Sequence, residues 1–259
     1  MVWNCQGVGS PLTIPQLRKA CNLLSPQMVF LCETKNRKQF MEKIRRQLRF
    51  DKGVVVASMN KAVGMTVMWS SEVKVLEVRT TAFIMEVHIM DTDNNEDWWF
   101  IGIYASTDDQ IRREQWEVIE RRKVLWGTRW MITGDFNDIT SNEEKWGGRK
   151  REEETFKDFG NFIEQNGLID IGFKGNPWTW SNHWSQEGEI KQRLDRALVS
   201  NDWSQSFDKA TVKHIDNFGS DHSMLLIDSI PLKERRKKHF FFDKRWLKKE
   251  GVEQVIKKA

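Results

Sequence analysis

The spacing of apolar residues along the chain alternates between helical and strand-like periods. After Thr13, the residues Ile14, Leu17, Cys21 and Leu24 recur on one helical face and lead into the unbroken apolar run 28–32. That pattern predicts an amphipathic helix feeding a strand buried on both faces. Residues 53–57, 63–69, 73–78 and 83–90 read as successive strands, and the polar turn 91–97 joins the last of them to a further strand at 98–104, as in an antiparallel meander. Thr107, Asp108 and Asp109 form a helix start, with Ile111, Val118 and Leu125 along the expected apolar face before a strand at 129–133. Phe156, Phe159 and Ile163 mark another amphipathic helix ending near Gly167, and strands follow at 193–199, 210–215 and 223–227. No internal repeat is present. About ten strands with a few interspersed helices predict one layered α/β domain, two sheets packed face to face with helices outside.

Composition adds limits to this picture. With 259 residues, 39% hydrophobic and 30% charged, the chain falls outside the disordered and fibrous classes. A chain of this size buries roughly 70–75% of its unfolded surface, so its core needs neither disulfides nor a structural metal. Cys5, Cys21 and Cys32 are odd in number and lack CxxC spacing, which argues against a disulfide framework or a zinc site and for a reducing compartment, nucleus or cytoplasm. No apolar run approaches the ~18 residues of a membrane span, and the first ten residues lack the order of a signal peptide. The expected protein is therefore intracellular, without a membrane partner. Charge is unevenly distributed: residues 232–259 hold 11 bases against four acids, while the rest holds 30 bases against 33 acids. The basic tail suits nucleic-acid phosphates or is simply a solvated end, and Arg235-Arg236-Lys237-Lys238 has the form of a nuclear localisation signal.

Chemistry-bearing residues recur where buried runs meet the surface, the place where sites on layered folds are built. They are Asn4, Glu33, Tyr104, Asp135 with Asn137, Asp195, and Asp221 with His222. Carboxylate and amide oxygens suit Mg²⁺ or Mn²⁺, and the lack of paired thiols or histidine clusters disfavours zinc. Singly, each has a structural alternative: Asn4 and Asn137 as turn formers, Asp135 and Asp195 as strand-end caps, His222 as a satisfied core residue, Tyr104 as packing. Together they meet the needs of phosphodiester hydrolysis, namely a cation near the nonbridging oxygens, an activated water opposite the leaving group, and donors for the extra transition-state charge.

At these positions the sequence resembles the exonuclease, endonuclease and phosphatase superfamily, which includes apurinic-site endonucleases, pancreatic deoxyribonuclease and neutral sphingomyelinases. The matching motifs are Trp3-Asn4-Cys5-Gln6-Gly7, Leu31-Cys32-Glu33-Thr34-Lys35, Gly102-Ile103-Tyr104, Gly134-Asp135-Phe136-Asn137-Asp138, Arg193-Leu194-Asp195-Arg196-Ala197 and Ser220-Asp221-His222-Ser223. Between them, Glu144-Lys145-Trp146-Gly147-Gly148, Gly167-Leu168-Ile169-Asp170 and Trp178-Thr179-Trp180-Ser181-Asn182 resemble the endonuclease domain of plant LINE-type (non-LTR) retrotransposon proteins. The resemblance implies a four-layered, DNase I-like α/β sandwich over residues 1–231, with the site at one edge of both sheets. It implies that Glu33, supported by Asn4, binds the metal, with Asp221 as a further metal-positioning acid. Asp135 would orient or deprotonate the attacking water, Asn137 would hold that arrangement, Asp195 would pair with a charged His222, and Tyr104 would donate to the phosphate. Gln6 replaces the acid common in apurinic-type relatives, which favours a single metal. The chain starts only three residues before Asn4, implying a clipped first strand, and residues 232–259 resemble the start of a linker toward a reverse transcriptase.

Of the 13 tryptophans, Trp69, Trp116, Trp126, Trp130 and Trp203 lie within helix or strand patterns and are expected in the core. Trp178, Trp180 and Trp184 cluster in a loop, where Trp178 and Trp180 are candidates to stack on a base, His183 is a plain loop residue, and Arg149, Lys191 and Arg193 are candidate phosphate contacts. The expected activity is Mg²⁺-dependent nicking of one DNA strand, leaving a 3′-hydroxyl, by a monomer that uses no small-molecule cofactor. The rivals are hydrolysis of a non-DNA phosphate ester, and an inactive retroelement remnant that folds or binds DNA without cutting it.

Overall fold

The computed structural model describes residues 1–58, 63–92, 95–184, 188–216 and 218–230. The expected tail, 232–259, lies outside them. In chain order, β1 (Val2–Asn4), α1 (Thr13–Leu24), β2 (Met28–Cys32), α2 (Lys38–Gln47), β3 (Lys52–Val56) and β4 (Met65–Trp69) are followed by the meander β5 (Lys74–Thr80), β6 (Ile84–Asp91) and β7 (Glu96–Tyr104). Then come α3 (Asp109–Arg122), β8 (Trp130–Asp135), β9 (Lys145–Trp146), α4 (Glu154–Gln165), β10 (Ile169–Asp170), β11 (Trp180–Ser181) and β12 (Lys191–Gln192). β13 (Asp195–Val199), α5 (Asn201–Ser206), β14 (Thr211–Ile215) and β15 (Met224–Asp228) complete the described elements.

One six-stranded sheet has the order β14-β15-β1-β2-β4-β3, the other β10-β13-β8-β7-β6-β5, and β11-β12-β9 form a small third sheet. Most neighbours are antiparallel, but β1 runs parallel to β2 and β7 parallel to β8. The long strands meet expectation to within about two residues at each end. The two-residue strands β9 to β12 escaped it, because so short a segment carries no periodicity.

Three apolar clusters make the layers. Between the sheets, Phe30, Cys32 and Val67 of the first sheet meet Met85, Val87, Phe100 and Met131 of the second. Outside the first sheet, Val29, Leu31 and Met68 receive Leu17 and Ala20 of α1 and Met41 and Ile44 of α2. Outside the second, Ile101, Ile103 and Ile132 receive Trp116 and Ile119 of α3 and Phe159 and Phe162 of α4. The result is a four-layered α/β sandwich, and β2 reads as an unbroken apolar run because both its faces are covered. The five tryptophans expected in the core are all buried. The apolar face expected for α3 is not the one used: Ile111 and Leu125 are exposed, while Arg112, Trp116 and Ile119 point inward. Trp116 faces inward instead, its ring stacked on that of Phe162 at 4.6 Å, a contact that an aliphatic side chain cannot make.

Gly102 of β7 faces the first sheet tightly, and a Cβ there would stand 2.5 Å from the Phe30 ring. Gly102→Ala is therefore expected to destabilise the sandwich by about 1–3 kcal/mol through overpacking, read as a lower urea midpoint; an unchanged midpoint would mean that Phe30 has room to retreat.

Candidate active site

Strand register gathers the polar residues at one edge. Asn4 ends β1 opposite Cys32, so Glu33 follows at the same level of the first sheet. In the second sheet, Tyr104 pairs with Asp135 and Asp135 with Asp195. Asp195 begins its strand rather than ending it, and His222 precedes β15. Because β13 and β15 run antiparallel to β8 and β1 respectively, their starts fall on the same edge. Two backbone features aim the side chains. Gly134, at φ +141°, passes so close to β7 that a Cβ would lie 2.1 Å from the Ile103 carbonyl. Glu33 and Asn137 adopt left-handed φ of 51° and 50°, a conformation that costs of order 1–3 kcal/mol in a non-glycine residue and clusters at functional sites.

Asn4, which is buried, is the hub. Its Nδ2 donates to Glu33 Oε1 at 3.1 Å and to Asp135 Oδ2 at 2.9 Å, and lies 3.4 Å from His222 Nε2. His222 Nδ1 is 2.8 Å from Asp195 Oδ2, while its Nε2 is 3.7 Å from Asp135 Oδ2. Asn137 donates from its backbone to Asp135 Oδ1 at 2.8 Å and from its side chain to the Ala105 carbonyl at 2.8 Å. The geometry thus brings together Asn4, Glu33, Asp135, Asn137, Asp195 and His222.

Electrostatics separates their states. Burial disfavours a charged imidazole at His222, but the charges of Asp195 and Asp135 outweigh it and push its pKa up to about 10. Burial raises Asp135 to about 7, with Asp195 adding to the rise and His222 and Asn4 opposing it. His222 therefore holds the proton of this group, and Asp135 is a buried carboxylate poised to accept one near neutral pH. Burial also opposes ionisation of Glu33, yet Lys35, Asn4 and Tyr104 hold it below the usual range. Lys35 Nζ stands 2.6 Å from Glu33 Oε2. The Tyr104 hydroxyl is hydrogen-bonded to Glu33, and burial with the nearby Glu33 and Asp135 charges keeps it protonated.

Asp221 sits across the same cleft, its Oδ2 accepting from Gln6 Nε2 and Trp180 Nε1, each at 2.9 Å. The cleft, about 590 Å³, is bounded by Gln6, Glu33, Asn137, Trp180, Asp221 and His222 among others. Glu33 and Asp221 both line the cleft, and carboxylate oxygens of this kind suit a hard divalent cation such as Mg²⁺. Asp135, Asp195 and His222 also have ligand atoms within 4.8 Å of one another, but there His222 is tied to Asp195 through Nδ1.

Several supporting residues lie inside the quoted motifs, where nothing in the sequence assigned them a role. Thr179, buried in the tryptophan segment, accepts from the backbone of both Leu194 and Asp195 at 3.0 and 2.9 Å and so fixes the start of β13. Ser220 Oγ donates to the Asn4 carbonyl at 2.8 Å and accepts from His222 N at 3.1 Å. Asp138, inside the Gly134–Asp138 motif, is clasped by Arg112 at 3.0 Å and Arg151 at 2.9 Å, two guanidiniums that line the cleft.

The expected DNA contacts divide. Trp180 walls the cleft, Trp184 is exposed, and Trp178 stands near Trp146, with Lys191 Nζ 5.8 and 5.1 Å from the two ring centres. Lys191 pairs with Glu189 at 2.9 Å, and Arg149 is exposed. Arg193 does not fit the expectation of a phosphate contact. It is buried and bound to Glu144 at 3.2 Å and Asp170 at 2.8 Å, so its charge is already neutralised inside the protein.

Among known proteins, the model of the endonuclease/exonuclease/phosphatase family matches residues 1–222. No curated protein sequence matches the chain significantly. Similar solved structures include the endonuclease domain of TRAS1, a telomere-specific non-LTR retrotransposon (17% identity, 90% of this chain and 98% of that one, TM-score 0.64). Others are an AP endonuclease from Archaeoglobus fulgidus (13%, 88% and 97%, 0.69) and the 3′ phosphatase NExo from Neisseria bound to a product DNA hairpin (15%, 88% and 97%, 0.66). At these identities the structural likeness is one of fold. With a family model that spans most of the sequence and a sandwich whose two sheets end in one acidic and histidine-bearing edge, the chain belongs to the endonuclease/exonuclease/phosphatase family.

Proposed function

We propose that the protein is a divalent-metal-dependent DNA endonuclease of LINE-type retrotransposon origin that nicks one strand and leaves a 3′-hydroxyl. The observation that carries this reading is the bridge made by Asn4, which holds a cation-binding carboxylate, Glu33, beside a buried base, Asp135, and a charged imidazole, His222. The solved structures of similar fold include a retrotransposon endonuclease domain and an AP endonuclease, which favours DNA over other phosphate esters. Residues 1–231 would make up the catalytic domain, working as a monomer in the nucleus or cytoplasm.

Glu33, Asn4 and Asp221 would hold Mg²⁺ or Mn²⁺, which neutralises phosphate charge and stabilises the leaving oxygen. Asp135 takes the proton of the attacking water. Asn137 and Asn4 fix the Asp135 carboxylate on both of its oxygens. His222, kept charged by Asp195, presents Nε2 toward the phosphate oxygens and stabilises the added transition-state charge. Tyr104 acts through Glu33, orienting its carboxylate.

The test is nicking of supercoiled plasmid with Mg²⁺, with EDTA, and by Glu33→Gln. EDTA is expected to abolish nicking, and Glu33→Gln to lower it and raise the Mg²⁺ concentration for half-maximal rate. Activity that persists in EDTA would refute metal dependence. A folded protein that leaves plasmid intact but hydrolyses another phosphate ester would move the reading to the phosphatase branch.

A further inference from the structure

Charge is segregated along the chain in a way that the cleft does not use. Residues 1–52 carry ten bases against three acids, whereas residues 53–231 carry twenty bases against thirty acids. The fold gathers the basic part into one layer, because α1 and α2 both cover the outer face of the first sheet. On α2 the buried residues Met41 and Ile44 face the sheet and Lys38, Lys43 and Arg46 are exposed, while Glu42, between Lys38 and Arg46 on the helix surface, is paired with Arg45 at 3.0 Å. Arg49 and Lys52 continue the line beyond the helix, and Arg18 of α1 lies beside its end, 3.5 Å from Gln47. Among the described residues, no ion pair to a carboxylate is made by Lys38, Lys43, Arg46, Arg49 or Lys52.

The direction of this line follows from strand register. Glu33 and Lys35 stand at the cleft, and α2 starts three residues later. β3 begins at Lys52, which pairs with Trp69, and Trp69 pairs with Met28 at the start of β2. Lys52 therefore lies at the end of the sandwich away from the cleft, and the bases between Lys38 and Lys52 lead from one end to the other. The helix alone covers about 15 Å. A partner recognised by such a line is a flexible or bent polyanion with regularly spaced charges, which describes a nucleic-acid backbone. The exposed side chains along α2 are charged or amide, Lys38, Gln39, Lys43, Arg46 and Gln47, which suits a polyanion rather than an apolar protein interface.

We propose that the α1–α2 layer binds a second stretch of nucleic-acid backbone, outside the cleavage edge and continuous with it through Lys35 and Lys38. This rests on the reading of the cleft as acting on nucleic acid. Its role is to retain the substrate on either side of the cut, and its contribution is electrostatic: each phosphate neutralised adds about 0.9 to the slope of log K against log salt for duplex DNA.

The test uses the full chain in EDTA, so that nothing is cut, with a labelled 40-base-pair duplex followed by anisotropy between 50 and 200 mM NaCl. A triple variant, Lys43→Gln with Arg46→Gln and Arg49→Gln, is compared with a control of equal charge loss on the opposite layer, Arg113→Gln with Arg121→Gln and Lys157→Gln. The α2 triple is expected to make the slope shallower by about 2 to 3, with the control near wild type and both variants melting as wild type does. Equal slopes for both triples, or no change in either, would overturn the proposal. So would binding to phosphatidylserine vesicles that the α2 triple loses while its DNA slope stays unchanged, since the face would then belong to a membrane surface. Plasmid nicking with Mg²⁺, run alongside, reports separately on the cleft: loss of slope in a protein that does not nick upholds the nucleic-acid face and refutes the endonuclease reading.

Discussion

Asp135→Asn is expected to lower the nicking rate roughly 10³- to 10⁴-fold, at the upper end of what a positioned general base contributes. The asparagine keeps the size and the hydrogen bond from the Asn137 backbone, so the protein should fold while losing the group that takes the proton. The wild-type pH profile carries the same information. Asp135 must be ionised, and burial has raised it to about 7, so the rate should climb as pH rises through that value. His222 must be charged, and it loses its proton only near pH 10, so the rate should fall again there. The positive charge of His222 pulls Asp135 down; His222→Gln removes that pull and should move the acid limb to higher pH as well as lowering the plateau. An acid limb that stays in place would show that His222 does not act on Asp135. Stability should follow His222 in a definite direction. A folded pKa above the unfolded one favours the native state fully below about 6.5, and that advantage disappears as pH rises toward 10. Thermal melting at pH 6 and pH 9 checks the sign.

Glu144→Ala should be the most damaging single change outside the cleft, at about 3–5 kcal/mol. Glu144 holds two buried guanidiniums, Arg196 at 2.6 Å and Arg193 at 3.2 Å, and Asp170 closes the network on their other side at 3.3 and 2.8 Å. Arg196 is 1% exposed, so the variant leaves a desolvated cation with Asp170 as its remaining carboxylate at 3.3 Å and the Arg193 carbonyl at 3.0 Å. The loss should appear as a large fall in the denaturation midpoint. Replacing Arg196 by Met in the same chain should restore part of it, because the orphaned charge is then gone. Since Asp195 lies between the two arginines in sequence, partial unfolding here would also release Asp195 from His222, and activity should be lost before global melting. A midpoint within 1 kcal/mol of wild type would mean that water reaches the network.

How much of this was legible beforehand differs by element. β2 could be read directly because both faces of the strand are covered and its apolar run is unbroken. β9 to β12 could not, since two residues have no period; β9 and β11 form because β12 lies between them as a partner, and β10 forms on the edge of β13. For α3 the aliphatic stripe was misleading: Ile111 and Leu125 share a face, but Trp116 stacks within the aromatic cluster of the α4 layer and faces inward. Arg193, expected as a phosphate contact, is instead buried. Its partners Glu144 and Asp170 are 49 and 23 residues away, and no local pattern announces them.

The sequence by itself determined the long strands and the helices α1, α3 and α4, the layered class, and the inventory of carboxylates, amides and one histidine in an order that fits the family. Those depend on local periodicity and residue type, which the chain carries residue by residue, while α2, α5 and the two-residue strands were not read from the sequence. Only the tertiary structure decided that Asn4 touches Glu33, Asp135 and His222 together, that Thr179 pins Asp195, that Tyr104 serves Glu33, and that Lys38, Lys43, Arg46 and Arg49 are left exposed along the α2 layer. Each of these rests on two sheets packing with a particular register across long stretches of chain, and on the burial that raises Asp135. Burial is a property of the packed neighbourhood, and no residue possesses it alone.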